Sequence, residues 1–330
     1  MDPILYATPD NPVPDRAQAG WFEAFDGRRI RYAIFKCAEP IARGTIVLLH
    51  GRNECIEKYF ETIGDLTALG FWVATFDWRG QGGSDRLLPD RLKGYVRRFS
   101  DYERDLARFL EHIVLPDTRL PFFIVGHSTG GLVALSAAPS LTTRIERMVL
   151  TSPFIALGGQ SVGERRIAAL MKLACLLGFG ASNVGSHAHP APFEGNGVTS
   201  DRRRFDRNNG IISAVPELAL GRPTARWLNE TLTAIARVRD QAFLGRINVP
   251  TLIIAATRDP IVPAAALEQF DERFRAGHLV AIDGALHEIF QERDILRAQA
   301  LAAIEAFIPG SGSESDPAPR EAIVAGPAKP

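Results

Sequence analysis

Apolar runs of strand length alternate with helical periodicity through the first half of the chain. The runs are Thr45–Leu49, Phe71–Phe76, Phe122–Val125 and Met148–Thr151. Residues 57–69 and 101–113 carry apolar positions at helical spacing instead. Strands that alternate with helices predict an α/β fold, in which helices cover both faces of a mostly parallel sheet.

Two further regions extend this pattern. Trp21–Phe25 and Ile30–Phe35 flank an Asp-Gly dipeptide, which predicts an antiparallel hairpin. Near the C-terminus, Thr251–Ala256 and Leu279–Ile282 are again strand-like, and a last helix is expected over residues 293–307. The sheet is therefore expected to continue after a long interruption.

The interruption, residues 153–245, has helical and polar segments but no strong strand run. An insertion of that size at the ligand-binding edge of a sheet predicts a cap. The expected organisation is a core of residues 1–152 and 246–308, a helical cap over 153–245, and a disordered tail over 309–330. The tail is rich in Pro, Ala, Gly and Ser, a composition that buries little apolar surface.

Composition excludes several function classes. The 330 residues are 46% hydrophobic and 23% charged, as in an ordinary globular protein. The 38 basic and 38 acidic side chains cancel, so no net field attracts nucleic acid, and no such partner is expected. Cys37, Cys55 and Cys175 have no zinc or redox spacing. They are expected to be buried, reduced thiols, which favours a cytoplasmic location.

Neither a signal peptide nor a membrane span is expected from the sequence. Residues 1–7 lack a basic region followed by an apolar core. The most apolar stretch, Ile167–Phe179, is too short to cross a bilayer and contains Lys172. It could line an acyl tunnel, rest on a membrane surface or pack on the core. Peripheral contact with the inner face of a membrane stays open.

The strongest chemical signal is Gly126-His127-Ser128-Thr129-Gly130, between an apolar strand and an apolar helix start. Strand, Gly-x-Ser-x-Gly and helix in this order predict a nucleophile elbow that exposes Ser128. The glycines leave room for the turn and for close packing of the helix. A Gly/Ser-rich loop without chemistry is the alternative interpretation.

A serine nucleophile needs a histidine base and an acid that orients it. Asp259 and His287 each follow one of the last two predicted strands, in the order serine, acid, histidine. Asp283 and Glu288 are rival acids, but they lie too close to the histidine in sequence to orient it well. The predicted catalytic residues are therefore Ser128, Asp259 and His287.

An oxyanion hole would use the backbone N–H of Thr129, the residue after the serine. The second donor is expected from the loop His50-Gly51-Arg52-Asn53, with the N–H of Arg52 as the candidate. This chemistry needs no metal and no organic cofactor. His187 and His189 could suggest a metal site, but no Cys or carboxylate spacing supports one, so no metal is expected.

These motifs resemble those of α/β-hydrolases in the monoacylglycerol lipase and bacterial lysophospholipase group, over Trp21 to Phe307. The matching segments are His50-Gly51, the Asp-x-Arg-Gly-x-Gly-x-Ser run Asp77–Ser84, the elbow Gly126–Gly130, Asp259, and His287-Glu288. Within the predicted cap, Asn196–Asp201 and Pro223–Leu228 resemble the lysophospholipase branch.

The resemblance implies a serine hydrolase that cleaves carboxylic esters of fatty-acyl lipids through an acyl-enzyme at Ser128. Its substrate would be a small lipid or ester. Gln81 departs from the family, which usually has histidine there; that residue is structural, so catalysis is not in doubt. Arg52 is an unusually bulky and charged residue after His50-Gly51. Its side chain either contacts an anionic head group or is a solvated arginine.

Two other functions remain as alternatives. A serine aminopeptidase would need acidic cap residues near the site, for which the candidates are Glu194, Asp201, Asp206 and Glu217. A non-catalytic ligand-binding relative would be expected to have lost a triad residue, and this chain keeps all three. The basic cluster of Arg202, Arg203, Arg204 and Arg207 either attracts phosphate or is a salt-bridged surface.

Overall fold

The computed structural model describes residues 3–160, 162–185 and 192–309, with one sheet at their centre. Its strands are β1 (Ala17–Glu23), β2 (Arg29–Phe35), β3 (Thr45–Leu49), β4 (Trp72–Phe76), β5 (Phe122–His127), β6 (Arg147–Thr151), β7 (Thr251–Ala256) and β8 (Gly277–Ile282). They lie in the order β1-β2-β4-β3-β5-β6-β7-β8. The pairs β1/β2 and β2/β4 are antiparallel, and every other pair is parallel. The predicted hairpin and mostly parallel sheet are confirmed.

The described residues contain ten α-helices. They are α1 (Phe60–Ala68), α2 (Ser100–Phe109), α3 (Leu115–Asp117), α4 (Thr129–Leu141), α5 (Glu164–Leu176), α6 (Arg202–Ala214), α7 (Ala225–Val238), α8 (Gln241–Leu244), α9 (Ala264–Asp271) and α10 (Asp294–Phe307). A π-helical turn, Leu110–Val114, continues α2. The helices predicted over 57–69, 101–113 and 293–307 are therefore present, with small shifts at their ends.

Each central strand contributes to two hydrophobic clusters, one on each face of the sheet. In β3, Val47 and Leu49 belong to the cluster that contains residues of α2, α4 and α7. Ile46 and Leu48 belong to the cluster that contains residues of α1 and α10. Successive side chains of a strand point to opposite faces, so a strand covered on both faces reads as a continuous apolar run.

Residues 153–245, hereafter the helical insertion, connect β6 to β7 and contain α5 to α8 in their described part. The helix α7 buries Trp227, Ile235 and Val238 in the same cluster as α4. The helix α5 contacts α7, but none of its own residues is fully buried. The predicted tail beyond Pro309 and the histidines His187 and His189 lie outside the described residues.

No helix in the described part of the chain is long and apolar enough to cross a membrane. Cys37 and Cys55 are buried free thiols, as expected. The expectation is wrong for Cys175, which is only partly buried because it lies on the weakly covered helix α5.

Candidate active site

Ser128 lies at the sharp turn between β5 and α4. Its backbone angles, φ 50° and ψ −115°, fall where residues other than glycine rarely lie, and such strain persists only when surrounding contacts enforce it. The Ser128 N–H donates to the carbonyl of Thr151 (3.0 Å). Its own carbonyl accepts from the N–H groups of Leu132 and Phe154 (3.0 Å each). These backbone bonds fix the turn that the elbow motif predicts.

Gly130 allows the first turn of α4 to lie directly against the end of β3. A Cβ atom at this position would lie 2.7 Å from the carbonyl oxygen of His50 and closer still to that of Leu49. Any other residue would push the helix away from the sheet. The glycine thus brings the elbow beside the loop that carries Arg52.

The three predicted catalytic residues form one hydrogen-bonded chain. The Ser128 hydroxyl donates to Nε2 of His287 (2.9 Å), and Nδ1–H of His287 donates to Oδ2 of Asp259 (2.6 Å). The other carboxylate oxygen of Asp259 accepts from the N–H groups of Ile261 (2.7 Å) and Val262 (3.0 Å). All three triad side chains are buried. Asp259 comes after β7 and His287 after β8. Because these strands are parallel neighbours, both residues lie at the same edge of the sheet.

The two rival acids are engaged elsewhere. The carboxylate of Asp283 accepts from the hydroxyl of Thr257 (3.0 Å) and is exposed. Glu288 pairs with the ammonium group of Lys58 (2.7 Å). Of the acids considered from sequence, Asp259 is the one that contacts His287.

The loop with the candidate oxyanion donor is held on both sides of Arg52. The Gly51 N–H donates to the Glu54 carboxylate, and the Asn53 N–H donates to Oε1 of Gln81 (3.2 Å). Nε2 of Gln81 also donates to the Gly51 carbonyl (3.1 Å). Gln81, noted in the sequence only as a departure, therefore braces this loop. The N–H of Thr129, in the first turn of α4, has no acceptor within its own helix.

A buried charged cluster behind the loop was missed by sequence reasoning. Lys58 pairs with Glu54 and with Glu288 (2.7 Å each), and the Tyr59 hydroxyl donates to Glu54 (2.8 Å). Burial lowers the pKa of Lys58, but the two carboxylates outweigh it and hold the pKa above its usual value. Burial likewise raises the pKa of Glu54, but Lys58 outweighs it and keeps that carboxyl ionised. The spacing Glu54-x-x-x-Lys58 could have predicted the pair between these two residues, but nothing in the sequence indicates the pair between Lys58 and Glu288.

Two further histidines lie near the triad. The His127 ring lies 4.9 Å from the His287 ring, centroid to centroid, and its Nδ1–H donates to Thr151. Burial lowers the pKa of His127 to about 3, so this ring is neutral at physiological pH and places no charge beside His287. His50 is buried, and its Nδ1–H donates to the Gly51 carbonyl (2.9 Å).

The arrangement suits nucleophilic chemistry more than metal chemistry. Among the described residues, no group of three or more His, Cys, Asp or Glu side chains could hold a metal ion. A serine bonded to a histidine that is bonded to a carboxylate can pass its proton to the imidazole as it attacks a carbonyl.

Comparison with known proteins assigns the chain to a family. Residues 40–294 match the family described as serine aminopeptidase, S33. The chain is 34% identical to lysophospholipase L2 of Escherichia coli strain K12, across 89% of this chain and 88% of that protein. It is 31% identical to the probable lysophospholipase L2 of Haemophilus influenzae, across 82% and 85%.

The chain belongs to this family. A soluble variant of the monoglyceride lipase of Saccharomyces cerevisiae, solved with a substrate analogue, has the same fold. Its TM-score is 0.73, with 20% identity over 94% of this chain and 100% of that one. The resemblance to the lysophospholipase and monoacylglycerol lipase group of α/β-hydrolases is confirmed, and the named members of that group are ester hydrolases.

Within this family member, α6 attaches the helical insertion to the core. Arg204 is buried and donates to Glu61 (2.8 Å) and Asp294 (2.6 Å), while Arg207 also donates to Glu61 (2.5 Å). The remaining pairs of the cluster are Arg202 with Glu194 and Asp206, Arg203 with Asp294, and Arg204 with Asp201. The cluster is therefore a salt-bridged face, the second of the two interpretations.

The four acidic residues that could serve an aminopeptidase are either paired with arginines or exposed. Glu194, Asp201 and Asp206 pair with arginines of the insertion, and Glu217 is exposed. The curated relatives reported above are lysophospholipases rather than peptidases. Both findings support the ester-hydrolase interpretation over the peptidase alternative.

The two insertion segments that resemble the lysophospholipase branch are points of contact with the core. The Val198 carbonyl accepts from the N–H of Glu288 (2.8 Å), directly after the triad histidine. Thr224 caps α7 by accepting from the N–H of Trp227 (3.3 Å), and its own N–H donates to the Gly94 carbonyl (2.8 Å). These segments therefore set how the insertion sits at the site.

Proposed function

We propose that this chain hydrolyses carboxylic esters of fatty-acyl lipids, of the lysophospholipid or monoacylglycerol type, through an acyl-enzyme at Ser128. The observation that carries the proposal is the hydrogen-bonded chain from Ser128 through His287 to Asp259. The substrate class is supported by the similarity to lysophospholipases L2 over nearly the whole chain.

In the first half-reaction, Oγ of Ser128 attacks the ester carbonyl while its proton moves to Nε2 of His287. Asp259 holds the ring so that Nε2 faces the serine, and it stabilises the imidazolium that forms. The negative charge on the carbonyl oxygen is stabilised by the backbone N–H groups of Arg52 and Thr129. Collapse of the tetrahedral intermediate breaks the C–O bond, and the imidazolium protonates the departing alcohol.

In the second half-reaction, water replaces the alcohol. His287 removes a proton from the water as its oxygen attacks the acyl carbon of the ester to Ser128. The intermediate then expels the serine oxygen, which recovers its proton from His287. The fatty acid leaves and releases its remaining proton to the solvent, and neither half requires a metal or cofactor.

We infer that the helical insertion acts as the cap that selects the substrate. Its segments bond to the N–H of Glu288, beside His287, and to the loop at Gly94. A cover in this position shapes the pocket and limits the access of water to the acyl-enzyme.

Peripheral contact with a membrane is also part of the proposal. Exposed apolar side chains lie on α5 and directly after it: Leu170, Leu173, Leu176, Leu177 and Phe179. Gly180, next to Phe179, lies against the Arg226 side chain, which lines a groove of about 510 Å³ with the exposed residues Arg97 and Arg98. An apolar surface beside arginines suits a bilayer with anionic lipids. The free, buried thiols Cys37 and Cys55 favour its cytoplasmic side.

The substrate class is tested with three substrates in one assay: a lysophosphatidylcholine, a monoacylglycerol with the same acyl chain, and an aminoacyl amide. The proposal expects cleavage of one or both acyl esters and none of the amide. Cleavage of the amide alone would overturn it.

The membrane contact is tested by sedimentation with vesicles that contain phosphatidylglycerol. The double variant Leu173→Glu/Leu176→Glu should bind clearly less than the wild type. The control Ile295→Glu changes an equally exposed apolar residue on α10 and should bind normally. Equal binding by all three proteins would contradict a role for α5.

A further inference from the structure

Arg52 follows Gly51 in the loop beside Ser128, and its partly buried guanidinium has no acidic partner among the described residues. Its Nη2 donates to the main-chain carbonyl of Gly221, and its Cζ lies 5.2 Å from the ring centroid of Trp227. Its Nε is buried and has no hydrogen-bond partner among the described residues. A buried donor left unpaired costs free energy, so a ligand that accepts a hydrogen bond from this group would be stabilised.

The arginines that are buried as whole residues are neutralised, whereas Arg52 and Arg86 are partly buried and have no salt bridge among the described residues. Arg31 pairs with Asp77 (2.6 Å), Arg79 pairs with Asp105 (2.6 Å), and Arg204 pairs with Glu61. Burial lowers the pKa of Arg52 to about 10, Tyr102 acts in the opposite direction, and no carboxylate among the described residues forms a salt bridge with this guanidinium. Its positive charge is therefore uncompensated where an anion would be strongly favoured.

The position of Arg52 connects this charge to the reacting carbonyl. A Cβ atom on the preceding residue, Gly51, would lie 3.2 Å from Cβ of Ser128, so the loop runs beside the nucleophile. Trp227, under the guanidinium, is stacked with Phe154 at 6.5 Å between centroids. The Phe154 N–H in turn bonds to the Ser128 carbonyl. The guanidinium is thus connected to the elbow through the packed rings of Trp227 and Phe154.

We propose that Arg52 binds the anionic phosphate of a substrate head group and so favours lysophospholipids over neutral monoacylglycerols. This inference rests on the proposed function and names its substrate more narrowly. The glycerol unit separates the ester carbonyl from the phosphate by about the length of an arginine side chain. Arg52 would therefore contact both polar groups of the substrate. Its backbone N–H would donate to the ester carbonyl oxygen, and its guanidinium group would donate to the phosphate.

The test compares kcat/KM for a lysophosphatidylcholine and a monoacylglycerol of equal chain length, both below their micellar concentrations. Arg52→Gln keeps the backbone N–H and removes the charge. It should lower kcat/KM for the phospholipid by about 10- to 100-fold, mainly through KM, because a hydrogen bond to a charged group is lost. Hydrolysis of the monoacylglycerol should fall clearly less, so that the ratio of the two kcat/KM values drops by about tenfold or more. Arg52→Lys should recover part of the preference.

Arg86→Gln is the matched control. Burial also lowers the pKa of Arg86 to about 10, and its guanidinium donates to the carbonyls of Glu217 and Ala219 in the insertion (2.9 Å each). It should leave the substrate preference unchanged. Equal loss on both substrates in Arg52→Gln, or the same loss of preference in Arg86→Gln, would show a structural role and overturn the inference.

Binding of glycerophosphocholine, measured by calorimetry, separates this inference from the proposed function because it needs no turnover. Ser128→Ala should bind this head group, and Ser128→Ala/Arg52→Gln should bind it at least about tenfold more weakly. Binding that depends on Arg52 in a protein that cleaves no fatty-acyl ester would reject the function and keep the inference. Ester hydrolysis without such binding would support the proposed function and reject the inference about Arg52.

Discussion

The three candidate catalytic residues follow the ends of parallel strands in one sheet, whereas the helical insertion is also attached by side chains that reach between distant segments. Ser128 is fixed by main-chain bonds to Thr151 and Phe154, and Asp259 by the N–H groups two and three residues later. The insertion is held by main-chain bonds at Val198 and Thr224 and, in addition, by charged pairs such as Arg204 with Glu61, 143 residues apart. Backbone geometry thus fixes the candidate catalytic residues, and long-range side-chain contacts help to attach the insertion that we propose as the cap.

A second difference lies within the insertion. The helices α5 and α6 each have 13 residues. Buried Arg204 ties α6 to the core, while α5 leaves Leu170, Leu173 and Leu176 exposed. One helix is therefore held in place and the other is available to an apolar surface.

The largest expected effect comes from removing the nucleophile. Ser128→Ala should lower kcat for a p-nitrophenyl acyl ester by about 10⁴-fold or more, because no other group can form the acyl-enzyme. Ser140→Ala is the control, since that hydroxyl bonds within its own helix, to the Ala137 carbonyl. It should retain normal turnover. Near-normal turnover by Ser128→Ala would contradict the mechanism.

The orienting acid should come next. Asp259→Asn removes the acceptor of the His287 Nδ1 proton and should lower kcat by about 10³- to 10⁴-fold, through a wrong tautomer. Asp283→Asn changes the rival acid and should have little effect on kcat. A reversal of these two results would assign the orienting role to Asp283.

A smaller effect is expected from the residue that braces the oxyanion loop. Gln81→Ala removes its bonds to Gly51 and Asn53. It should lower kcat by about tenfold with little change in KM, because the Arg52 N–H acts mainly on the transition state. Gln241→Ala alters an exposed glutamine that bonds to Arg273 and serves as the control. Loss confined to KM in Gln81→Ala would argue for a binding role instead.

The smallest effect is expected at the attachment of the insertion. Burial raises the pKa of Glu61, but hydrogen bonds from Arg204 and Arg207 outweigh it and lower the pKa to about 2. A lowered pKa means that the ionised carboxylate stabilises the fold above pH 4.5, and that this stabilisation is lost as the pH falls towards 2.

Glu61→Gln should therefore lower the Tm by about 2–6 °C at pH 7. The difference from wild type should shrink steadily as the pH falls from about 4.5 to about 2. Glu111→Gln, which alters an exposed pair with Arg144, should shift the Tm by less than about 2 °C. A gap between Glu61→Gln and wild type that stayed constant down to pH 2 would contradict the assigned role of this pair.

The sheet and the three residues that the structure joins by hydrogen bonds could be predicted because both leave local signals in the sequence. Continuous apolar runs mark strands buried on both faces, and the elbow glycines report the contact of α4 with β3. Asp259 and His287 follow such runs directly, so the topology of a parallel sheet brings them to one edge.

What could not be predicted depends on contacts between distant residues. The sequence gives no sign that Gln81 bonds to the Arg52 loop, or that Glu288 pairs with Lys58, 230 residues earlier. Similarly, the apolar composition of α5 left three placements open, because exposure depends on what packs against the helix. Cys175 was placed wrongly for the same reason.

The central claim, an acyl-enzyme at Ser128, is tested most directly by trapping that intermediate. The wild-type protein is mixed with a fatty-acyl p-nitrophenyl ester and quenched in acid within the first turnover, and its mass is measured before peptide mapping. One acyl group should be found on the peptide that contains Ser128, and none on Ser128→Ala. An acyl group on a different residue, or equal labelling of Ser128→Ala, would contradict the account.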